Sequence, residues 1–533
     1  MRSFLFLFLA VSEAILCGQQ PGMATLHTTT RLVQMNVLVH DSKGAPVIDL
    51  TRDDFVVLDE GKPVRLVTFQ MVAQTPAAHG GPAAHSLKLF NKSPALTDKP
   101  AAATVILIDS LNMQSADDLR YVKRELPKFL KNLNAGDPVA IYSLAGPAVR
   151  VIHEFSEDSD SLVESSGKGP GTVSKWLEST GGLGTRGGTQ HIRTEWTLGA
   201  LETIALHLGD IPGRKTLVWV SSAFPITAGF IHAEALAKGA STKGAKNGDM
   251  EAYRDRLTRL ARILNNVDVA VYPVDPRGLS VDSQYKASAN KPASRNSTRL
   301  VTKGEDTAGE FATMDLLAAE TGGRAYYNAN ALGESIQRAV DDSRYTYVLG
   351  FYPDEATWDG RSHRLEVQVT RHGLEVRSRR SYFASDPESE TPTEREDALQ
   401  LVAATPLNGT AIGVTVKVNA NPLEPGSQQI DISVAPQDIS FVEKDGKWRA
   451  DFDLLLTQQG PDGRRLAGER SQVLLDRDSY SDSQNKAITF RRNIDVQEDA
   501  ASLRVLVRDA LNGAVGSLDV PIASSASGAK AGR

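Results

Sequence analysis

The feature that most constrains this fold is a series of continuous apolar runs between residues 104 and 274. The runs are TVILI, VAIYSL, KTLVWVSS and VDVAVYPV, which start at residues 104, 139, 215 and 267. A run without polar alternation is typical of a strand buried on both faces, as in a parallel sheet. Helical patterns separate most of the runs, at 116–134, 194–209 and 251–266. The alternation predicts an α/β fold with a mostly parallel central sheet and helices on both faces.

One neighbouring pair of strands should break this parallel rule. A further apolar run at 149–155 follows the run at 139–144 after only Ala-Gly-Pro, at residues 145–147. This connection is too short for a crossover helix, which parallel strands require. The two runs are therefore predicted to form an antiparallel hairpin.

The pattern changes to shorter β-type runs on both sides of this region. Residues 30–72 predict a small N-terminal β unit, and residues 345–383 predict a β extension of an α/β domain that spans 101–385. Residues 399–525 predict a C-terminal β-sandwich. A unit as small as 30–72 is near the size at which an isolated core becomes inadequate. We expect it to dock on the α/β domain or its extension, burying Phe55, Val57 and Phe69.

Composition assigns the remaining segments. Residues 1–20 resemble a secretory signal peptide, with Arg2 followed by the apolar stretch FLFLFLAV. Residues 73–100 are rich in Ala, Pro, Gly and His, which is typical of a linker. Residues 386–398 predict an extended acidic linker, and residues 526–533 predict a disordered tail.

Charge and cysteine content exclude several classes of partner. The formal net charge is −6, which argues against nucleic acid as a partner. The single cysteine, Cys17, lies in the predicted leader, so a mature chain without it has no disulfide and no zinc–thiolate site. No later stretch reaches the ~20 apolar residues that a membrane-spanning helix needs. We therefore expect a secreted, periplasmic or envelope-associated protein with no stable membrane span.

Several longer strings carry a family resemblance. They include VILIDSLN at 105–112, LGDIPGRKTLVWVSS at 208–222, VDVAVYPVDPRGL at 267–279 and RYTYVLGFYP at 344–353. The chain resembles, over residues 30–385, the VWFA-related domain family of acidobacterial exported proteins. This resemblance implies a Rossmann-like von Willebrand factor A domain that recognises proteins, often through a bound divalent cation.

The resemblance also implies a place for that cation, the metal-ion-dependent adhesion site with its D-x-S-x-S motif. Asp109 supplies the aspartate, but Leu111 and Met113 occupy the serine positions and cannot bind Mg²⁺. Ser110 and Asn112 offer oxygen atoms at a shifted spacing. Without a metal, Asp109 would cap the loop and helix that follow it by accepting backbone N–H groups.

The other elements of such a site are also altered. Thr189 resembles the family threonine, with Thr194 as a rival, and Ser221-Ser222 stands where an aspartate is expected. The candidate metal ligands are therefore Asp109, Ser110, Asn112 and Thr189. They predict either no cofactor or a weakly bound Mg²⁺.

Residues that could contact a partner gather at one predicted edge. In open α/β sheets, ligands bind beyond the carboxyl ends of the strands. The candidate partner-binding residues at that edge are Asp109, Asn112, Ser222, Asp275 and Arg277.

Signals of catalysis are weak. The glycine motif at 182–187 follows a helix-like stretch instead of a strand, so it does not predict a dinucleotide site. The sequence contains neither H-E-x-x-H nor G-x-S-x-G. We expect a non-enzymatic protein that binds another protein or an envelope component through the carboxyl edge of its sheet. The alternatives are an envelope hydrolase that uses Ser221 or Ser222, and an accessory subunit that helps to assemble an envelope complex.

Overall fold

The structure is a computed structural model. The residues it describes are 32–73, 103–131, 138–156, 164–165, 169–170, 173, 176, 190–211, 213–222, 224, 247–277, 311, 313–327, 332–353, 361–383, 392–420, 427–444, 446–478, 485–486 and 488–522. The predicted signal peptide, nearly all of the 73–100 linker, the 182–187 glycine motif, Thr189 and the 526–533 tail lie outside the described residues.

The first half of the chain combines short N-terminal strands with alternating strands and helices. The N-terminal strands are β1 (Val33–His40), β2 (Phe55–Asp59), β3 (Lys62–Val64) and β4 (Thr68–Ala73). Next come β5 (Thr104–Asp109), α1 (Ala116–Lys131), β6 (Val139–Leu144), β7 (Val149–Ser156), β8 (Glu164–Ser165), β9 (Gly169–Pro170), α2 (Gln190–His207), β10 (Lys215–Val220), α3 (Asn247–Asn266) and β11 (Val269–Val274). Residues 313–320 are helical.

The second half of the chain is richer in strands. It begins with α4 (Leu332–Asp342), β12 (Tyr345–Phe351), β13 (Ser362–Val369), β14 (Glu375–Arg377) and β15 (Ser381–Phe383). It continues with α5 (Pro392–Ala404), β16 (Val414–Ala420), β17 (Ser427–Val434), β18 (Val442–Lys444), β19 (Lys447–Gln459), β20 (Arg465–Arg477), β21 (Ile488–Asp495), β22 (Ser502–Asp509) and β23 (Val515–Pro521).

The predicted fold class is wrong. The structure is mostly β, with 45% strand and 26% helix, and among the described sheets only one contains parallel strands. A Rossmann-like von Willebrand factor A architecture built on a mostly parallel central sheet therefore does not describe this chain. The prediction classified the chain by the pattern of residues 104–274, although it also expected β units on both sides of that region. The antiparallel sheets come from the flanking segments: the N-terminal strands pair with strands of residues 345–383, and the C-terminal strands pair largely with their neighbours in sequence.

The mixed sheet positions the candidate site. Its described strands lie in the order β11-β10-β5-β6-β7, parallel except for the antiparallel pair β6–β7. The predicted hairpin at 139–155 is thus confirmed. Every residue of β5, β6, β10 and β11 is buried, which explains why these strands lack polar alternation. Apolar residues of α1 and α4 pack on one face of the sheet, and those of α2 and α3 pack on the other.

The N-terminal strands share their sheets with strands from residues 345–383. One sheet has the order β14-β1-β12-β4 and the other β15-β13-β2-β3. Both sheets contribute to a single apolar core in which Phe55 and Val57 are buried and Phe69 is partly buried. The prediction that 30–72 docks on the β extension is confirmed by this strand pairing, since neither segment forms these sheets alone.

The C-terminal strands form two antiparallel sheets around another core. One has the order β16-β17-β21, and the other has the order β18-β19-β22-β23, with β20 also paired to β19. Alternate residues of β17 are buried, as expected when one face of a strand meets the core. Residues such as Ile432, Phe452 and Val505 fill the space between the sheets.

The acidic linker predicted at 386–398 is wrong from residue 392 onward, because those residues begin helix α5. The acidic side chains at the start of this segment led to the prediction of a linker. The apolar residues Leu399 and Val402 further along the helix are nevertheless buried. They join a small core with Leu455 and Leu506 of the C-terminal strands. The helix is therefore packed against the C-terminal unit.

The end of α2 contacts the segment that follows α5. His207 Nδ1 lies 2.7 Å from the carbonyl oxygen of Asn408, and Thr410 Oγ1 donates to the carbonyl of His207 at 2.8 Å. A Cβ added at Gly209 would lie 2.9 Å from Cβ of Ala411, so glycine permits this close approach. The C-terminal unit is thus fastened to the helical layer of the mixed sheet.

Within the described residues, no helix combines the length and apolar character needed to cross a membrane.

Candidate functional site

The candidate site lies where β5, β10 and β11 end. These parallel neighbours bring Asp109, Ser221-Ser222 and Asp275 to one edge of the mixed sheet. The loop at 110–115 leads from β5 into α1 along the same edge. The predicted edge residues are therefore neighbours in space, as the parallel register requires.

Asp109 is the centre of a buried hydrogen-bond cluster. Its Oδ2 accepts from Asn112 Nδ2 at 2.8 Å, from Trp219 Nε1 at 3.0 Å and from Ser221 Oγ at 3.1 Å. Its Oδ1 accepts from the backbone N–H of Asn112 at 3.1 Å. This last bond confirms that Asp109 caps the loop, whereas the start of α1 is capped by Ser115 and Asp118 instead. We call Asp109, Asn112, Trp219, Ser221 and Thr197 the Asp109 cluster.

Burial determines the electrostatics of this carboxyl group. Asp109 is 0% exposed. Desolvation raises its pKa above the ordinary value, and the hydrogen bonds from Asn112, Trp219 and Ser221 act in the opposite direction. The removal of this carboxyl group from water therefore affects its pKa more than the hydrogen-bond donors do.

The cluster presents hydrogen-bond donors where a cation would need acceptors. Asn112 points its amide nitrogen at Asp109 and donates a second bond of 2.8 Å to Thr197 Oγ1. Thr197 in turn donates to the carbonyl of Arg193. A hard cation such as Mg²⁺ requires oxygen lone pairs, and to reach those of Asp109 Oδ2 it would have to displace the donors that already occupy them.

The other predicted metal ligands add little to this picture. Ser110 and Thr194 are both buried, and Thr189 lies outside the described residues. The threonine that the structure brings to Asn112 is Thr197, which the sequence did not single out. In the described part of the chain, no group of three or more His, Cys, Asp or Glu side chains is arranged to hold a metal ion.

Ser222 belongs to a second group at the same edge. Its Oγ donates to Asp118 Oδ2 at 2.8 Å and lies 3.3 Å from Met113 Sδ. Asp118 also accepts from the backbone N–H and the hydroxyl of Ser115, and Ser115 Oγ accepts from the backbone N–H of Asp118. This reciprocal capping box fixes the start of α1.

Arg277 forms the third group. Its Nε donates to Asp275 Oδ1 at 2.9 Å and to Oδ2 at 3.1 Å, and its Nη1 donates to Gln114 Oε1 at 2.9 Å. The guanidinium lies 5.3 Å from the ring centroid of Phe311. Burial raises the pKa of Asp275 above its ordinary value, while the bonds from Arg277 lower it. The side chain of Arg277 keeps 17% of its surface exposed.

The loop after β5 joins all three groups. Asn112 contacts Asp109, Met113 contacts Ser222, and Gln114 contacts Arg277. The structure therefore brings the predicted partner-binding residues into one connected edge. We call residues 109–118, 221–222 and 275–277 the carboxyl edge.

Sequence reasoning missed Trp219, Thr197 and Asp118. A signal existed for Trp219, because residues two apart in a strand share a face and Trp219 pairs with Leu107 of β5. This register places Trp219 and Ser221 on the same face as Leu107 and Asp109. Thr197 lies on α2, and no sequence periodicity links that helix to β5.

No family model matches this chain, and no curated protein matches it. The family resemblance of residues 30–385 thus remains a prediction from sequence.

Proposed function

We propose that the chain is an exported, non-enzymatic binding protein that recognises another protein or a cell-envelope component through the carboxyl edge. The observation that supports this most is the fixed position of Arg277. Asp275, Gln114 and Phe311 hold its guanidinium from different sides, while part of the side chain stays exposed. An arginine that is already held in place loses little side-chain entropy on binding, and arginine is enriched among interface hot spots.

The charge of Arg277 indicates the kind of group that it would contact. A guanidinium can pair with a carboxylate through two parallel hydrogen bonds. We therefore expect the partner to place an acidic side chain on Arg277, beside the exposed amide of Gln114. The buried Asp109 cluster beneath them would support the edge without touching the partner.

Burial of the two serines supports binding over catalysis. Ser221 and Ser222 are each 0% exposed, and both hydroxyls already donate to aspartates. A nucleophile must reach the reacting carbon of its substrate. With both hydroxyls enclosed, a substrate would have to displace the surrounding structure first.

The test is a capture experiment with the full-length chain and an extract of the cell envelope of its source. Arg277→Glu and Gln114→Arg should each abolish capture of the same partner. Arg371→Glu is the matched control, because Arg371 is also ion-paired with an aspartate, Asp49, and lies far from the edge in sequence. Capture that survives Arg277→Glu, or that Arg371→Glu also abolishes, would contradict the proposal.

A second candidate function, hydrolysis by Ser222, rests on one distance. The 2.8 Å contact between Ser222 Oγ and Asp118 Oδ2 is within reach of proton transfer. The test is hydrolysis of p-nitrophenyl butyrate by the wild-type chain and by Ser222→Ala, with Thr415→Ala in β16 as a hydroxyl-removal control. Turnover that only Ser222→Ala removes would favour the hydrolase over the binding protein.

A third candidate, an accessory subunit for envelope assembly, uses the same edge and differs in the partner. Stable co-purification of the untagged complex from envelope membranes would favour the assembly role. Reversible capture that a salt wash dissociates would favour a free binding protein.

A further inference from the structure

Strand β20 forms one edge of a sheet in the C-terminal unit. It has 13 residues, and among the described strands it pairs only with β19. A long strand with one free edge is a template on which another chain can pair, and for this reason most natural edge strands are short or covered. The β20 edge lies in a different sheet from the carboxyl edge, so it is a separate feature of the molecule.

The backbone groups of β20 point alternately toward β19 and away from it. The carbonyl of Asp451 accepts a hydrogen bond from the backbone N–H of the residue that follows β22. The backbone of its neighbour Phe452 is therefore directed toward β20, where Phe452 pairs with Val473. Gln472 and Leu474, on either side of Val473, direct their N–H and C=O groups away from β19.

The apolar core between the two C-terminal sheets reaches the surface at this edge. Phe452 and Leu454 of β19 are 0% and 1% exposed, whereas Val473 and Leu475 of β20 are only partly buried against the same core. Leu474, on the opposite face of the strand, keeps 74% of its surface exposed. The edge thus presents apolar side chains on both faces of the sheet, which a further strand would cover.

The charges along β20 complement one another when the strand is reversed about Val473. In an antiparallel pair centred on that residue, Glu469 lies opposite Arg477 of the second copy, and Arg470 lies opposite Asp476 of the second copy. Twofold symmetry repeats both matches on the other side of the axis. Centring the pair one residue to either side removes both of these matches.

We infer that two copies of this chain pair through β20, antiparallel and centred on Val473. Gln472 of each copy then lies opposite Leu474 of the other. Both residues direct their backbone groups across the interface, as a hydrogen-bonded antiparallel pair requires. The two Val473 side chains meet on the core face. The sheets of the two C-terminal units join into one continuous sheet, in which β20 is no longer an edge.

Sedimentation velocity of the full-length chain, over a series of micromolar concentrations, tests this inference. The wild-type chain should pass from monomer to dimer across the series. Glu469→Arg and Arg477→Glu should each raise the dissociation constant of the dimer by about tenfold or more, because each change places like charges opposite one another twice. The double variant, Glu469→Arg with Arg477→Glu, restores opposite charges and should return the constant close to the wild-type value.

The Glu469–Arg477 match is the one to exchange, since Arg470 and Asp476 already form ion pairs within their own chain. Lys417→Glu is the control, because Lys417 is an exposed charge on β16 in the other sheet, and this change should leave the constant unaltered. Leu474→Lys removes an exposed apolar side chain beside the axis and should weaken the dimer. Circular dichroism checks that each variant is folded.

Three outcomes would overturn the inference. They are a chain that stays monomeric throughout, as it would if β20 paired only with a strand of another protein, single variants that dimerise like the wild type, and a double variant no stronger than the single ones. Arg277→Glu should leave the dimer intact, so failure of the carboxyl edge and failure of the β20 edge give different results.

Discussion

The indole Nε1–H of Trp219 donates a 3.0 Å hydrogen bond to Oδ2 of Asp109. Both residues are buried, and the Trp219 ring makes an edge contact with Phe224 at a centroid distance of 5.0 Å. The carboxyl group is therefore closed off by an aromatic side chain from the neighbouring strand. Asp109, which the sequence indicated as a metal ligand, is therefore part of the molecular interior.

Titration with Mg²⁺ should show no saturable binding at micromolar concentrations. Oδ2 of Asp109 already accepts from Asn112, Trp219 and Ser221, and a cation would have to displace these donors. Isothermal calorimetry on the wild-type chain and on Asp109→Ala measures this directly. Micromolar binding that Asp109→Ala abolishes would show that the cluster rearranges to form a metal site.

Asp109→Asn should destabilise the protein more at low pH than at neutral pH. Burial raises the pKa of Asp109, so the folded chain holds this proton more tightly than the unfolded chain does. The stability that this proton contributes is fully present below the unfolded pKa, about 4, and is lost as the pH rises through the folded pKa. Urea unfolding of both chains across this range measures the difference. A stability difference between wild type and Asp109→Asn that widens as the pH rises would mean that the folded chain favours the charged form of Asp109 instead.

Phe55→Ala should lower the free energy of unfolding by about 3–5 kcal/mol, the usual cost of deleting a buried phenyl ring. Phe55 is 6% exposed, and its ring centroid lies 5.1 Å from that of Tyr347 on β12. Ile48→Ala is the control, since Ile48 is 47% exposed and should change stability by no more than about 0.5 kcal/mol. Similar losses for the two variants in urea unfolding would refute the shared core of 32–73 and 345–383.

Arg395→Ala should destabilise the contact between α5 and the C-terminal strands by about 1–3 kcal/mol, because it leaves a buried carboxylate with fewer donors. Arg395 Nε lies 2.5 Å from Asp453 Oδ2, and Asp453 is 0% exposed. Arg470 retains its own contact with Asp453 at 3.1 Å, which limits the loss. Arg464→Ala removes an exposed ion pair with Asp462 and serves as the control in thermal unfolding. Equal melting temperatures for wild type and Arg395→Ala would show that this contact does not hold α5 in place.

The sequence predicted the strands of the mixed sheet well, because continuous apolar runs report complete burial directly. The predicted fold class failed because burial does not reveal a strand's partner. Val33 pairs with Phe351, and Phe55 pairs with Val369, and no local pattern records either choice. Helix α5 was missed because its first turns are acidic while its apolar residues come later.

In the candidate site, the residues that follow buried strands were predictable, and the contacts between separate elements were not. Asp109, Ser222 and Asp275 follow apolar runs, so the parallel register alone brings them together. Trp219 was predicted only as part of the buried run KTLVWVSS, and its indole N–H is visible as a donor to Asp109 only when the neighbouring strand is in register. The contact of Thr197 with Asn112 depends on the angle at which α2 crosses the sheet, which the sequence does not encode in any periodic form.

The pairing of β1 with β12 has a consequence for the order in which the chain assembles during synthesis. The backbone N–H of Leu50 bonds to the hydroxyl of Tyr347, which lies 297 residues further along the chain. At translation rates of about 5–20 residues per second, the first strands wait on the order of tens of seconds for their partners to leave the ribosome. Their apolar faces have no native cover during that interval. The nascent N-terminal strands therefore expose apolar surface until residues 345–383 have been synthesised.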